Sequence, residues 1–336
     1  MYAFTQRQAI LASWIIVFTA LYLVLPLKLL PSLLAGLLVY ELVNTLAGRL
    51  QRQMPGGGAR WLAVALLGTL VVSLLTLFFV WFTSFIIQEV QNPGRLLDKF
   101  MVLTERARAQ LPPSLDAYLP ANADSMKQEL VEWVRAHVAQ LQLFGRDAAR
   151  TFVIVLIGMI LGAIVALQPT PDPDRLRPLS GALLVRLGLV AQAFRNIVFA
   201  QIKISLLNTT LTGIFLLGVL PLFDVHLPLA KTLVILTFIL GLLPVIGNLM
   251  SNTLIFIAGL SLSIWVAVAA LGYLIAIHKL EYFLNARIVG GQISARSWEL
   301  LVAMLVFEAA FGLPGLVAAP VYYAYLKSEL RAEGLV

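Results

Sequence analysis

Residues 229–260 read LAKTLVILTFILGLLPVIGNLMSNTLIFIAGL. One membrane-crossing helix takes about 20 apolar residues, with a range of about 17–25. This run is too long for one crossing, and the roughly 48 apolar residues from it through 278 are too many for one helix and too few for three. Pro244 lacks the N–H that a helix interior needs, and Gly247 follows it within one turn. The stretch is therefore expected to fold as helix, break, helix: a re-entrant hairpin that enters the membrane and leaves by the same face.

The same arithmetic applies outward from it. Further apolar runs lie at 9–25, 29–47, 61–87, 151–167, 204–222 and 262–278, each of a length for one helix. A last run, 299–326, is cut by Gly312-Leu313-Pro314-Gly315 and is expected to form a second hairpin. The fold class expected is an all-α polytopic membrane protein with six spanning helices and two Pro/Gly-broken re-entrant hairpins. Eight plain spans are the alternative. Composition agrees: 336 residues, 60% hydrophobic and 12% charged, with mean hydropathy +0.91. Soluble chains run about 45–50% apolar and about 25% charged.

Three parts are expected along the chain: N-terminal membrane helices at 1–87, an extracytoplasmic helical insert at 88–150, and a membrane transport core at 151–336. The insert holds eight basic and eight acidic residues. Its second half, Ser125–Arg150, repeats apolar positions at helical spacing, with Ser125 as the expected cap and Gln128 at the capping-box position. Its first half, 94–111, reads as a shorter helix. In the core, 178–203 is an apolar run punctuated by Arg186, Gln192, Arg195 and Lys203, and is expected as a separate interfacial helix on the cytoplasmic surface. Arg7 before the run Ala9–Leu25 is not followed by a small-residue cleavage site, so that run is expected to stay as a membrane helix.

The net charge of +7 sits in short loops, which fits the positive-inside rule better than nucleic-acid binding. Loop 48–60 carries Arg49, Arg52 and Arg60 without an acid and is expected to be cytoplasmic. Segment 169–203 and loop 279–298 follow, while the balanced 88–150 and loop 222–230 fall outside. With a hairpin at 229–260 and another at 299–326, every loop obeys the rule. The localisation expected is multi-pass in a bacterial inner membrane.

With no Cys, and with His137, His226 and His278 scattered, there is no recognisable metal or cofactor spacing. No cofactor is expected. No G-x-S-x-G, no phosphate-binding G-x-x-x-x-G-K-[ST] and no Asp inside an apolar run is present, so neither an intramembrane enzyme nor an ATP-driven pump is expected.

The run Phe199-Ala-Gln-Ile-Lys-Ile-Ser-Leu-Leu-Asn208, then Gly213 and Gly218, then Gly241-Leu-Leu-Pro-Val-Ile-Gly247, resembles the core of the autoinducer-2 exporter (AI-2E) family of bacterial permeases. Phe311-Gly-Leu-Pro-Gly-Leu-Val-Ala-Ala-Pro320 resembles that family's closing element. The chain departs from the pattern at Glu308, where small residues are common. The resemblance implies a secondary transporter of a small polar solute, with sodium/proton antiport as the alternative within that class. It also implies self-association as a homo-oligomer, a pentamer in that family reading. A membrane scaffold without transport is the alternative of another class. The partners expected besides other copies of the chain are membrane lipid and the solute or cation.

The pathway residues singled out are Pro244, Gly247, Asn248 and Asn252 at the first break, Asn208 in the preceding run, Gly312, Pro314 and Gly315 at the second break, and Glu308. Broken helices at membrane depth free backbone groups and are tolerated only against protein or a water-filled cavity. Glu308 lies well inside an apolar run, where a carboxylate must be protonated, paired or wet. It is expected to line one pathway with the first break. Asn208, Thr209, Thr210 and Thr212, with Asn248, Ser251 and Asn252, are neutral groups suited to a polar solute. Lys279, Glu281, Asn285 and Arg287 are expected at a solvated helix end. Glu41 lies one turn from Asn44 in the second run.

The cysteine-free chain makes the topology directly measurable. A single Cys at Gln292 should label from the cytoplasmic side; labelling from outside alone would replace the two hairpins by eight plain spans.

Overall fold

The computed structural model describes residues 6–52, 58–91, 123–169, 171–242, 246–293 and 297–335. Among them all regular structure is helical. In order these are α1 (Gln6–Val24), α2 (Leu30–Gln51), α3 (Gly58–Gln91), α4 (Ala123–Leu167), α5 (Pro178–Leu222), α6 (Ala230–Gly241), α7 (Ile246–Leu260), α8 (Ile264–Ile293), α9 (Ser297–Phe311) and α10 (Leu313–Ala332). A 3₁₀ turn, Pro173–Arg175, precedes α5. Five of the helices, α1 to α5, are long and apolar enough to cross a membrane. Their outer faces carry exposed side chains such as Leu11, Ile15, Trp61, Val72 and Ile160. That inverted pattern belongs to a chain whose solvent is lipid.

Both broken runs fold as helix pairs. α6 and α7 flank the first break and α9 and α10 the second, and each pair packs on itself. Pro244 falls outside the described residues, as do 94–111 and most of the insert's first half.

Three expectations change. The helix 125–150 and the span 151–167 are one helix, α4, because neither Pro nor Gly stands between Arg146 and Ile157 to stop it. Ser125 lies inside its first turn and not at its cap. Segment 178–203 is no separate element: α5 runs through it, with no proline between Leu179 and Leu220. Arg186, read as an interfacial charge, is turned inward and only 4% exposed. Finally, α8 continues to Ile293, past the expected helix end at 278. The side chains of Glu281, Asn285 and Arg287 are outside the described set.

The chain divides into two compact units: residues 1–69, 148–200 and 284–336, and residues 70–147 and 201–283. In the first, Val17 and Leu21 of α1, Val190 and Ala193 of α5, and Ala324 and Tyr325 of α10 form a core. α10 is tied down by polar contacts along its second half. Tyr322 donates to the Leu21 carbonyl at 2.9 Å, Tyr323 and Lys327 both donate to Glu299 of α9, and Tyr325 donates to Glu329 at 2.8 Å. Glu329 is 1% exposed and faces Arg186 at 3.9 Å; Glu333 lies 3.7 Å from the same guanidinium. The Arg186 guanidinium also sits over the Trp14 ring, 5.4 Å from its centre.

α2 and α4 cross within the same unit at small residues. A Cβ placed on Gly158 would strike the Ser32 carbonyl, and one on Gly162 the Gly36 carbonyl. Ser32-x-x-x-Gly36 thus faces Gly158-x-x-x-Gly162, the small-residue spacing that lets helices approach closely in lipid.

The second unit has its own core: Phe215, Leu216 and Leu220 of α5, Leu227, Leu233 of α6, Ile255 of α7, and Ala270 and Leu274 of α8. Phe215 stacks on Tyr273 with ring centres 3.9 Å apart.

Replacing Gly162 by Leu forces backbone against side chain at the α2–α4 crossing. The cost should exceed the about 1–3 kcal/mol of ordinary overpacking, read as a lower melting midpoint in detergent, whereas Gly68→Leu, which meets open space, should melt like the parent.

Candidate functional site

Within the second unit, Gln201, Ser205, Asn208 and Thr212 recur on α5 at spacings of four, three and four, so they share one face. That face is polar although the helix is apolar, and it meets the α6–α7 pair. Ser205, Asn208 and Thr212 are 1%, 6% and 0% exposed.

The first two side chains finish α6. A helix leaves its last four carbonyls without internal partners, and in hydrocarbon no water replaces them. In α6 these belong to Phe238, Ile239, Leu240 and Gly241. Ser205 Oγ donates to Phe238 O at 2.7 Å, and Gln201 Nε2 donates to Gly241 O at 2.7 Å. The Leu242 N–H supplies both Ile239 O and Leu240 O. All four carbonyls are accounted for. Close approach makes this possible: a Cβ on Gly241 would lie 2.6 Å from Ser205 Oγ. Gly247 is buried at the start of α7 and a Cβ there would collide with the Leu240 carbonyl. Gly247 therefore serves to let α7 fold back on α6.

One turn further along α5 the polar groups are not used up by the backbone. Asn208 Nδ2 donates to Asn248 Oδ1 at 3.1 Å, the first side-chain contact past the break. Ser251, 2% exposed, donates to the Asn248 carbonyl at 3.3 Å. The hydroxyls of Thr209 and Thr212 are buried and have no hydrogen-bond partner among the described residues. A buried, unpaired hydroxyl costs about 1–3 kcal/mol, so such a pair is where an incoming polar group gains most. Asn252 follows on α7, half-buried.

Beyond Thr212 the helix changes register. Phe215–Val219 form a π-helical turn, with the Leu220 N–H reaching back to Phe215 O. Pro221 explains it: the ring cannot donate to Leu217 and would clash with that carbonyl in a regular helix. Tyr273 of α8 donates its hydroxyl to Leu211 O at 3.0 Å, beside Thr212. π turns inside α-helices are often found at functional positions.

Asn208 and Asn248, separated by 40 positions, are brought together. Gly312, Pro314, Gly315 and Glu308 belong to the first unit, where they build the α9–α10 turn. Gly312 has φ 66° and ψ −148°, a conformation open essentially to glycine alone. Pro314 occupies the first turn of α10, and a Cβ on Gly315 would strike the Phe307 carbonyl. Glu308 lies on an exposed face of α9 with Leu301, Leu305 and Val306. Its carboxylate makes no hydrogen bond or ion pair among the described residues. The reading of the residues missed the capping role of Gln201 and Ser205, although Gln-x-x-x-Ser spacing before the Asn208 patch signals one polar face. It also missed Tyr273 and the Arg186–Glu329 pair.

A protein-family model described as AI-2E family transporter matches residues 11–332, almost the whole chain. The chain belongs to that family and is a multi-pass membrane protein. No curated protein and no solved structure gives a significant match.

Ser205→Ala removes one cap and leaves the Phe238 carbonyl unpaired. It should lower stability by about 1–2 kcal/mol, visible as an earlier melting midpoint. An unchanged midpoint would mean that α6 does not depend on this bond.

Proposed function

We propose that this AI-2E family member is a secondary transporter of a small polar solute, and that the solute passes the Asn208–Asn248 contact of the second unit. The observation that carries the reading is the change in use along one helix face. Gln201 and Ser205 are consumed in finishing α6, whereas Thr209 and Thr212, one turn on, hold buried hydroxyls with no partner among the described residues. Neutral amides and hydroxyls recognise hydroxyl- and carbonyl-bearing solutes by exchange of hydrogen bonds without burying a charge. Asn252 extends this set on α7. The lengths of α6 and α7, 12 and 15 residues, fall short of the roughly 20 needed to cross, which supports a re-entrant hairpin with its turn at membrane depth.

A second reading, cation/proton antiport, is favoured by Glu308. A carboxylate on an apolar helix face is expensive in lipid, so water, a cation or another copy of the chain must cover it. A homo-oligomer is part of this proposal.

The test is flux into sealed proteoliposomes across a panel of small polar solutes, with pH and sodium gradients. Asn248→Ala should raise KM about tenfold or more, the loss of roughly one to two buried hydrogen bonds, with insertion intact. Ser205→Ala should change stability and leave KM alone. Glu308→Gln keeps the size of the side chain and removes its ionisable proton, so it should flatten the pH dependence of flux between about pH 5.5 and 8.5. Parent-like transport by Asn248→Ala removes the solute assignment; parent-like pH dependence in Glu308→Gln removes antiport; absence of flux for every solute and gradient favours a scaffold.

A further inference from the structure

A second polar place lies in the first unit, apart from the residues assigned to transport. Asn44, Thr45, Gly48 and Arg49 of α2, Arg52 at its C-cap and Arg195 of α5 line a cavity of about 330 Å³. Three guanidinium groups converge there. The acid at its border is Glu41, 12% exposed, whose carboxylate stands 4.0 Å from the Arg195 Nε. Three positive charges against one negative leave the cavity basic. Arg49 and Arg52 form no ion pair among the described residues. Arg195, 56% exposed, also lies over the Phe199 ring at 5.8 Å. The bland explanation is that basic residues neutralise the end of a helix dipole. That accounts for Arg49 and Arg52, but not for Arg195, which comes from the interior of another helix to the same cavity.

The rest of α2 indicates what fills it. Leu38, Leu42, Thr45, Arg49 and Arg52 recur at spacings of four, three, four and three, one stripe along the helix. Leu38 and Leu42 are 38% and 39% exposed. A basic head at the helix end therefore continues, on the same face, into an exposed apolar track running towards the middle of the span. Residues 48–60 carry Arg49, Arg52 and Arg60 and no acid, the charge bias expected of a cytoplasmic end facing an anionic leaflet.

We infer that this cavity binds an anionic phospholipid: the phosphate sits among Arg49, Arg52 and Arg195, and an acyl chain lies along Leu42 and Leu38. Guanidinium forks match phosphate oxygens in pairs, and Asn44 and Thr45 offer neutral donors to the glycerol and its esters. Gly48 supplies the room. A Cβ there meets nothing within 4 Å, so the space above it is open. Glu41 limits the positive charge by holding Arg195.

The full-length protein is purified in neutral detergent, and retention of added phosphatidylglycerol is compared with that of phosphatidylcholine by native mass spectrometry and melting. Inorganic phosphate at millimolar concentration forms a third arm. Phosphatidylglycerol should be retained and should raise the melting midpoint, phosphatidylcholine should not, and free phosphate should not substitute. Arg49→Gln with Arg52→Gln should cut retention at least about tenfold. Gly48→Leu should do the same while removing no charge and improving helix propensity, which separates a filled cavity from altered topology. Glu41→Gln should tighten retention by freeing Arg195. Equal retention by the parent and Gly48→Leu would overturn the site. A melting shift with inorganic phosphate equal to that with phosphatidylglycerol would overturn the lipid assignment in favour of a free anion.

Discussion

A backbone carbonyl inside a membrane has no water to turn to, and the second unit is arranged around that constraint. α6 stops at Gly241, a short helix by any spanning standard. Its four terminal carbonyls are all paired because α5 brings Gln201 and Ser205 to two of them and the chain's own turn serves the other two. From this follow the glycine at 241, which lets Ser205 in, and the glycine at 247, which lets α7 return. The polar face on α5 exists first to end a neighbouring helix. Only the part of it beyond the break, from Asn208 to Thr212, is free for another purpose.

The first unit meets the same demand with charges. Arg186 is buried beside Glu329 and Glu333, yet its Nε and Nη2 atoms make no hydrogen bonds among the described residues. A buried pair of this kind adds little net stability, because desolvation offsets attraction; removing one partner is what costs, about 3–5 kcal/mol. Its effect is selective. It favours the one arrangement of α5 and α10 in which neither charge is left alone.

What could be read from the residues divides along physical lines. Prolines and glycines act locally, so both interruptions were legible from Pro244–Gly247 and Gly312–Gly315, and the apolar lengths were enough to show an all-helical chain with several long apolar helices. The Asn208 and Asn248 patches were legible as polar groups with nowhere polar to go, though not that they would meet. Continuity was misjudged where charge stood in for a helix end. Arg186 and Arg195 interrupt the hydropathy of α5 without interrupting its backbone, since the first is turned to a partner more than a hundred residues away. Likewise the amphipathic pattern before Arg150 and the apolar one after it belong to a single helix, because a change of solvent along a helix does not require a change of conformation. The roles of Ser205 and Tyr273 were not legible, because both bond to backbone carbonyls that carry no sequence signature.

The Arg186–Glu329 pair bears on how the protein is made. The first unit is assembled from three separated stretches of chain, the last of which carries α10. During synthesis α5 enters the membrane with its arginine unmatched, and four further helices must follow before the glutamate arrives. Throughout that interval the guanidinium has to stay at the aqueous boundary or be shielded by the insertion machinery, since an uncompensated charge does not settle in a lipid-facing core. The first unit therefore closes late, on the docking of α10. A chain interrupted before that helix leaves Arg186 without either of its acidic partners.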